Sequence, residues 1–300
     1  MMKMSDTLLG CLCAIGCEVL YGMSYIFTKQ ATQTASALSL LGWRFLFAFL
    51  LMTILVVFKA VPVRVKGKPI APLLTVALFC PVIYFIGETV GISKTTASES
   101  GVLIACIPVA ALIASTLILR KKPSKLQIAG IIITLSGVWI TVFSVGSTSS
   151  FSVAGYLSLM IAVISYALYC VYVEKASAFS AAEITYAMLA VGAAVFVTLA
   201  AVEAGMTGSM HQLLVLPVTN KAFLCAAVYG GLGCSVLAFF LSNMAISRIG
   251  VNRTASFTGI ATVVSILSGV LALHEQFTAW QIVGAVIIIA GVYTANAKKR

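Results

Sequence analysis

The chain has 300 residues, of which 61% are hydrophobic and 9% charged, and its mean hydropathy is +1.10. A soluble body of this length cannot hide so much apolar surface, and runs of about 20 apolar residues without alternation exclude a transmembrane barrel, so the expected class is an all-α polytopic membrane protein. The net charge of +11 is read as topology, with basic residues collecting in cytoplasmic loops, and not as a nucleic-acid surface.

Ten spans are predicted, at about 7–27, 38–58, 70–90, 97–119, 126–145, 154–174, 183–203, 221–244, 253–273 and 278–296. The first is retained as a signal anchor, since too little apolar chain precedes Leu8-Leu9-Gly10-Cys11 for a lipoprotein cleavage box. It carries Glu18 near its middle. A carboxylate at that depth costs about 2.5–3.5 kcal/mol or more, so it must face protein or water, find a donor, or carry a proton. Tyr21, Gly22 and Tyr25 follow at i+3, i+4 and i+7, which places an acid, two phenols and a gap on one helix face. That face is expected to line a transport pathway, with Glu18 as a proton or cation site; the structural alternative ties Glu18 to Arg44 or to a neighbouring hydroxyl.

In the second span Arg44 is expected to snorkel to the interface or pair with an acid, with substrate contact as the functional alternative, and Trp43 to anchor the interface. Tyr84 in the third span is a candidate cage residue. Glu88 and Glu99 flank Lys94 and make either a solvated rim with an ion pair or an outer vestibule for cations. Pro81 and Pro108 are predicted to kink the third and fourth spans. In the sixth span Tyr166, Tyr169 and Tyr172 form a stripe, and the faces of such tyrosines attract ammonium groups by about 0.5–2 kcal/mol each. The segment 204–220, with Gly205, Gly208 and Pro217, reads as a loop. In the eighth span Gly230-Gly231-x-Gly233 serves close helix packing, and Asn243 bonds either a neighbouring helix or a ligand. Glu174, Glu183, Glu203 and Glu275 are interface charges, and the eight cysteines are small packing residues.

With the N-terminus inside, Lys3, Lys59, Arg64, Lys66, Lys68, Arg120, Lys121, Lys122, Lys125, Lys175, Arg248, Arg253, Lys298, Lys299 and Arg300 fall on the cytoplasmic side, against Lys29, Lys94 and Lys221 outside. Both termini are therefore expected in the cytoplasm. Residues 85–139 align without gaps on 239–293, matching Phe85, Gln127, Gly130 and Gly137 to Phe239, Gln281, Gly284 and Gly291. This implies two repeats, 1–147 and 148–300, of five spans each; five is odd, so the second lies the other way up.

Several motifs coincide with a known pattern: Tyr21-Gly22-Met23-Ser24-Tyr25, Arg44-Phe45, Pro108, Gln127-x-x-Gly130 with Gly137-Val138, and His274-Glu275 before Gln281-x-x-Gly284 and Gly291-Val292. The chain resembles the EamA-type members of the drug/metabolite transporter superfamily. It departs at Arg120-Lys121-Lys122, where a Gly-Glu pair is common, and Glu18 is not usual at its place. The resemblance implies a secondary transporter of small polar metabolites in the plasma (inner) membrane, with a central cavity walled by spans 1, 3, 4, 6, 8 and 9. It leaves the cargo and the oligomeric state open. An acid among tyrosines suits a cationic group, so an amino acid or amine exporter is the first expectation, working by alternating access and exchanging protons at Glu18. An uncoupled facilitator and a lipid-linked sugar flippase component are the alternatives. No catalytic residue, metal or cofactor is expected, and the partners are a small-molecule substrate, the lipid bilayer and protons. The candidate substrate or coupling residues are Glu18, Tyr21, Tyr25, Arg44, Tyr84, Glu88, Glu99, Tyr166, Tyr169 and Asn243.

Overall fold

The structure is a computed structural model that describes residues 6–95, 100, 103–104, 106–143, 152–273 and 279–296. All regular structure among them is helical. In chain order the helices are α1 (Asp6–Thr32), α2 (Ala37–Val57), α3 (Ala71–Lys94), α4 (Ile107–Leu119), α5 (Lys125–Phe143), α6 (Val153–Lys175), α7 (Ala181–Met206), α8 (Met210–Thr219), α9 (Lys221–Ile249), α10 (Val251–Ser256), α11 (Gly259–Leu273) and α12 (Ala279–Asn296). Helices α1, α2, α3, α6, α7 and α9 are long and apolar enough to cross a bilayer. Their starts are written in the sequence: the side chains of Ser36, Ser152 and Asn220 accept the first backbone N–H groups of α2, α6 and α9, and Ser180 with Glu183 forms a reciprocal capping box on α7.

The protein is apolar outside as well as inside. Leu50 and Ile54 of α2, Leu117 of α4, Leu157, Ile161 and Ile164 of α6 and Val202 of α7 all face outward. Water would not tolerate such a surface, and lipid does. The chain is a multi-pass membrane protein.

Inside, α2, α3, α6, α7 and α9 share one aromatic core. Phe45 stacks on Phe196 at 5.0 Å and meets the edge of Phe85 at 5.5 Å. Helix α3 breaks at Cys80, whose φ of −140° and ψ of 117° are non-helical, just before Pro81. The Phe79 carbonyl at the break accepts the Ser165 hydroxyl of α6 at 2.7 Å besides the Tyr84 N–H of its own helix. Pro108 sits in the first turn of α4, directly after a turn at Cys106, where its missing N–H needs no partner. The 204–220 segment is also not a plain loop. After a turn through Gly208, at φ +67°, it forms α8, and Trp43 of α2 donates to the Leu213 carbonyl there at 2.9 Å. Pro217 falls late in α8, which ends soon after it.

Helices α5 and α12 pack against each other at a glycine contact. A Cβ on Gly130 would lie 2.3 Å from the backbone nitrogen of Ala295, and one on Gly137 would lie 2.7 Å from the Gly284 carbonyl oxygen. Nothing but glycine fits such a backbone approach. Gly130→Leu is expected to lower stability by about 1–3 kcal/mol or more through overpacking, read as a clear fall in the melting temperature of detergent-purified protein. An unchanged melting temperature would mean that the two helices do not pack this way.

The charged contacts gather at one end of the bundle. Lys68, before α3, pairs with Glu183 at the start of α7 at 2.8 Å. Lys121, after α4, pairs with Glu174 at the end of α6, and Arg248, at the end of α9, pairs with Asp6 at the start of α1. Glu174 also accepts the Val251 N–H at 3.0 Å. At the opposite end Ser36 donates to Glu203, and Asn220 donates to the Thr34 hydroxyl at 2.8 Å. Of the expected interface acids, Glu183 is more than a surface charge: it is buried and accepts from Lys68, Ser180 N–H and Arg64 N–H.

Candidate functional site

A cavity lies between α1, α3, α4, α6 and α11. It is lined by Glu18, Tyr21 and Tyr25 of α1, Tyr84 of α3, Ile107 of α4 with Ile104 just before it, Tyr166 of α6, and Thr258, Ala261 and Thr262 at the start of α11. Its volume of about 20 Å³ is room for about one water molecule.

Five of the residues singled out in the sequence meet here: Glu18, Tyr21, Tyr25, Tyr84 and Tyr166. Helical spacing accounts for the α1 trio, and packing against the far half of the broken α3 brings Tyr84 to 5.3 Å from Tyr166, ring to ring. Glu18 is only 4% exposed, yet it makes no hydrogen bond and no ion pair among the described residues. A buried carboxylate with no donor and no cation within the fold is costly as an anion. It faces instead a cage of phenols.

The gap expected at Gly22 is closed. A Cβ there would lie 2.6 Å from the Ala261 carbonyl oxygen, so Gly22 is where α11 presses against α1 and shapes the cavity wall.

The other candidates stand elsewhere. Arg44 neither snorkels nor meets an acid within salt-bridge distance among the described residues. It is buried between α2 and α9, donates from Nε to the Ser235 hydroxyl at 2.9 Å, and lies over the Phe85 ring at 4.3 Å, with Gly230 leaving space for its stem. Its Nη2 has no hydrogen-bond partner among the described residues. Glu88 accepts the Tyr84 hydroxyl at 2.6 Å; the expected ion pair with Lys94 is not formed among the described residues. Glu88 thus backs the cavity from behind Tyr84. Glu99 and Glu275 lie outside the described residues.

Tyr169 and Asn243 belong to a structural network. The Tyr169 hydroxyl donates to Asn243 Oδ1 at 2.7 Å and to Ser242 at 3.2 Å, and Asn243 Nδ2 donates to the Thr185 hydroxyl at 3.0 Å. Asn243 bonds neighbouring helices. The tyrosine stripe of α6 therefore divides: Tyr166 faces the cavity, Tyr169 fixes α6 to α9, and Tyr172 stacks on Phe79 at 5.5 Å.

Thr258, Ala261 and Thr262 do not stand out in the sequence by themselves, although the 154-residue repeat offset places them opposite Ile104, Ile107 and Pro108. Polar residues at two of those three places, where the first repeat has Ile and Pro, are the available signal.

Among the described residues no group of acids, histidines or cysteines could hold a metal. The cavity offers one carboxylate, phenols and threonine hydroxyls, which suits binding of a small polar cation or zwitterion.

The EamA-like transporter family model matches residues 8–143 and again 153–297. The uncharacterized transporter YcxC of Bacillus subtilis (strain 168) is 30% identical over 285 residues, covering 94% of this chain and 91% of its own. The uncharacterized transporter YetK of the same organism is 28% identical, covering 93% and 84%. A solved crystal structure superposes on 97% of this chain and 96% of its own, with a TM-score of 0.74 at 16% identity, which speaks to the fold alone. With matches over nearly its whole length, and a lipid-facing helical bundle around a polar pocket, the chain belongs to the EamA-like transporter family of the drug/metabolite transporter superfamily.

Proposed function

We propose that the protein carries small amine-bearing metabolites, amino acids or related amines, out of the cell by alternating access, exchanging each for a proton at Glu18. The observation that carries this reading is the buried, unpartnered Glu18 carboxylate facing Tyr21, Tyr25, Tyr84 and Tyr166. A carboxylate in that setting has two inexpensive states. It is neutral with a proton, or charged against a cation whose positive face also rests on phenol rings. The two states exclude each other, and that exclusion is the basis of exchange.

Alternating access is supported by the two halves. The family match falls separately on 8–143 and 153–297, in keeping with ten crossings as two inverted five-span repeats. The three ion pairs, Lys68–Glu183, Lys121–Glu174 and Arg248–Asp6, each join a residue before 147 to one after 148. They sit at the end that the distribution of basic residues makes cytoplasmic. A pocket with room for about one water must widen to take a metabolite, and parting the halves at that end breaks these pairs. Two of them have one exposed partner, Lys121 and Asp6, and pairs screened in this way contribute about 0–1 kcal/mol each, which is weak enough to be broken in every cycle.

The test is a thermal-shift screen of purified protein against amines, amino acids, nucleosides and sugar phosphates, on wild type and Glu18→Gln. A ligand of the folded state raises the melting temperature by mass action, about 2.7 kcal/mol of stabilisation at a hundred times Kd. Amines or amino acids are expected to shift the wild type, and the variant is expected to lose the shift. Equal shifts of both proteins by anions or sugars would overturn the reading and point to a different cargo with a structural Glu18.

A further inference from the structure

We infer that the start of α11, through the Thr258 hydroxyl, is a carboxylate subsite facing Glu18, so that the cargo is a zwitterionic amino acid and not a simple amine. This rests on the Glu18 reading and adds a second, opposite pole to the same pocket.

Three observations point there. First, Thr258 lines the cavity, is 5% exposed, and its hydroxyl has no hydrogen-bond partner among the described residues. A buried hydroxyl without a partner costs about 1–3 kcal/mol, and one on a cavity wall recovers that from an acceptor held in the cavity. Second, Thr258 stands where one helix stops and another begins. α10 ends at Ser256, Phe257 and Thr258 make tight turns back to Thr254 and Ala255, and α11 runs on for 15 residues from Gly259. The positive end of the α11 dipole therefore points at the pocket, as in sites where a broken helix receives an anionic group. The Ile260 and Ala261 N–H groups are already taken by the Phe257 and Thr258 carbonyls, at 2.8 and 3.0 Å, and the buried side-chain donor without a partner at this end is the Thr258 hydroxyl. Third, α4 also starts at the cavity, with Ile107 on its wall and Pro108, which has no N–H, in its first turn. It adds a second positive helix end. Two helix starts and a hydroxyl thus share with one carboxylate a pocket that has no basic side chain on its lining. That is the field of a dipolar guest: ammonium toward Glu18, carboxylate toward Thr258.

The test uses the full-length purified protein and measures binding of the twenty common L-amino acids, each paired with the amine left when its α-carboxylate is removed (tryptophan with tryptamine, leucine with 3-methylbutylamine, lysine with cadaverine). Wild type is expected to bind at least one amino acid about ten-fold or more tightly than its amine. Thr258→Val keeps the shape and removes the hydroxyl; it is expected to weaken the amino acid by about ten-fold and leave the amine within about two-fold, while Thr258→Ser keeps the preference. The inference is overturned if amine and amino acid bind alike in every wild-type pair, if Thr258→Val weakens both members equally, or if it leaves the preference intact. It is also overturned if Thr258→Val changes the pH dependence of amine binding, because the hydroxyl would then serve Glu18 itself. Amine binding that depends on Glu18 but gains nothing from a carboxylate removes this inference and leaves the proposed function standing. A protein that binds neither amines nor amino acids removes both.

Discussion

In liposomes carrying a pH gradient, Glu18→Gln is expected to lose gradient-driven substrate exchange by about a hundred-fold or more, and with it the pH dependence of binding. The sign follows from competition at one carboxylate. An ammonium needs Glu18 charged, so cargo affinity weakens as pH falls through the titration of Glu18, approaching about ten-fold per pH unit below it, and reaches a plateau above it. The amide introduced by Glu18→Gln offers a carbonyl that neither takes the proton nor fully pairs the cation, so binding becomes weak and flat with pH. The titratable groups around Glu18 are the phenols of Tyr21, Tyr25, Tyr84 and Tyr166 and the thiols of Cys17 and Cys170. Phenols ordinarily hold their protons to about pH 10 and thiols to about 8.5, so all of them are neutral over the acid limb of the profile. Among the described residues the remaining nearby carboxylate is Glu88, behind Tyr84, so Glu88→Gln is the control that is expected to retain the pH response. Unchanged transport and unchanged pH dependence in Glu18→Gln would remove the proton role and leave an uncoupled facilitator.

The second large effect is expected at Glu183. This acid is 4% exposed and gathers four donor contacts into one knot: Lys68 Nζ at 2.8 and 3.0 Å, the Ser180 N–H at 2.8 Å and the Arg64 N–H at 3.0 Å. Lys68 in turn lies 5.1 Å from the centre of the Phe179 ring. The segment 58–70 between α2 and α3 is thereby tied to the start of α7. Glu183→Ala removes the capping box, about 1 kcal/mol, and leaves two backbone donors and an amine without an acceptor; Lys68 is partly exposed and re-solvates, so the total is about 2–3 kcal/mol. Trypsin reports it directly, since the freed segment carries cleavable bonds after Lys59, Arg64 and Lys66. Wild type is expected to resist cleavage there and Glu183→Ala to be cut many times faster, with a lower melting temperature. Equal cleavage rates would show that Glu183 does not hold this segment.

The class of fold is legible because its signals are local. Apolar runs, a Ser or Asn before a run and Gly or Pro within it depend on neighbouring residues only, and they place the helices that Ser36, Ser152, Ser180 and Asn220 cap. The α1 face is legible for the same reason: Glu18, Tyr21 and Tyr25 share it by helical geometry alone. What sequence cannot weigh is which face of each helix looks inward. Tyr166 and Tyr169 are three residues apart, yet one lines the pocket and the other bonds Asn243. Charge suggests charge, so the sequence sets Arg44 against acids; a guanidinium can also lie on a ring, and Phe85 of a distant helix supplies it. Nothing local marks Thr258, because a threonine in an apolar run normally returns its proton to the carbonyl a turn earlier, as Thr116 does to Leu112. Thr258, at the interruption between α10 and α11, does not make that bond.

The glycine contact between α5 and α12 carries a consequence for ancestry. These helices are equivalents in the repeat read from the sequence, with Gly130 and Gly137 matching Gly284 and Gly291, and they pack through those very positions: Gly137 against Gly284, Gly291 against Gly130. A surface that meets its own copy is self-complementary, as at the axis of a two-fold dimer. A five-helix forebear inserted in both orientations would already have possessed this seam, so duplication and fusion needed to invent no new one. The pocket tells the opposite history. Thr258 and Thr262 stand where the first repeat has Ile104 and Pro108, and Glu18 has Val163 as its counterpart at the 145-residue spacing that pairs Tyr21 with Tyr166, so the polar groups of the pocket do not follow the repeat that the glycine seam follows.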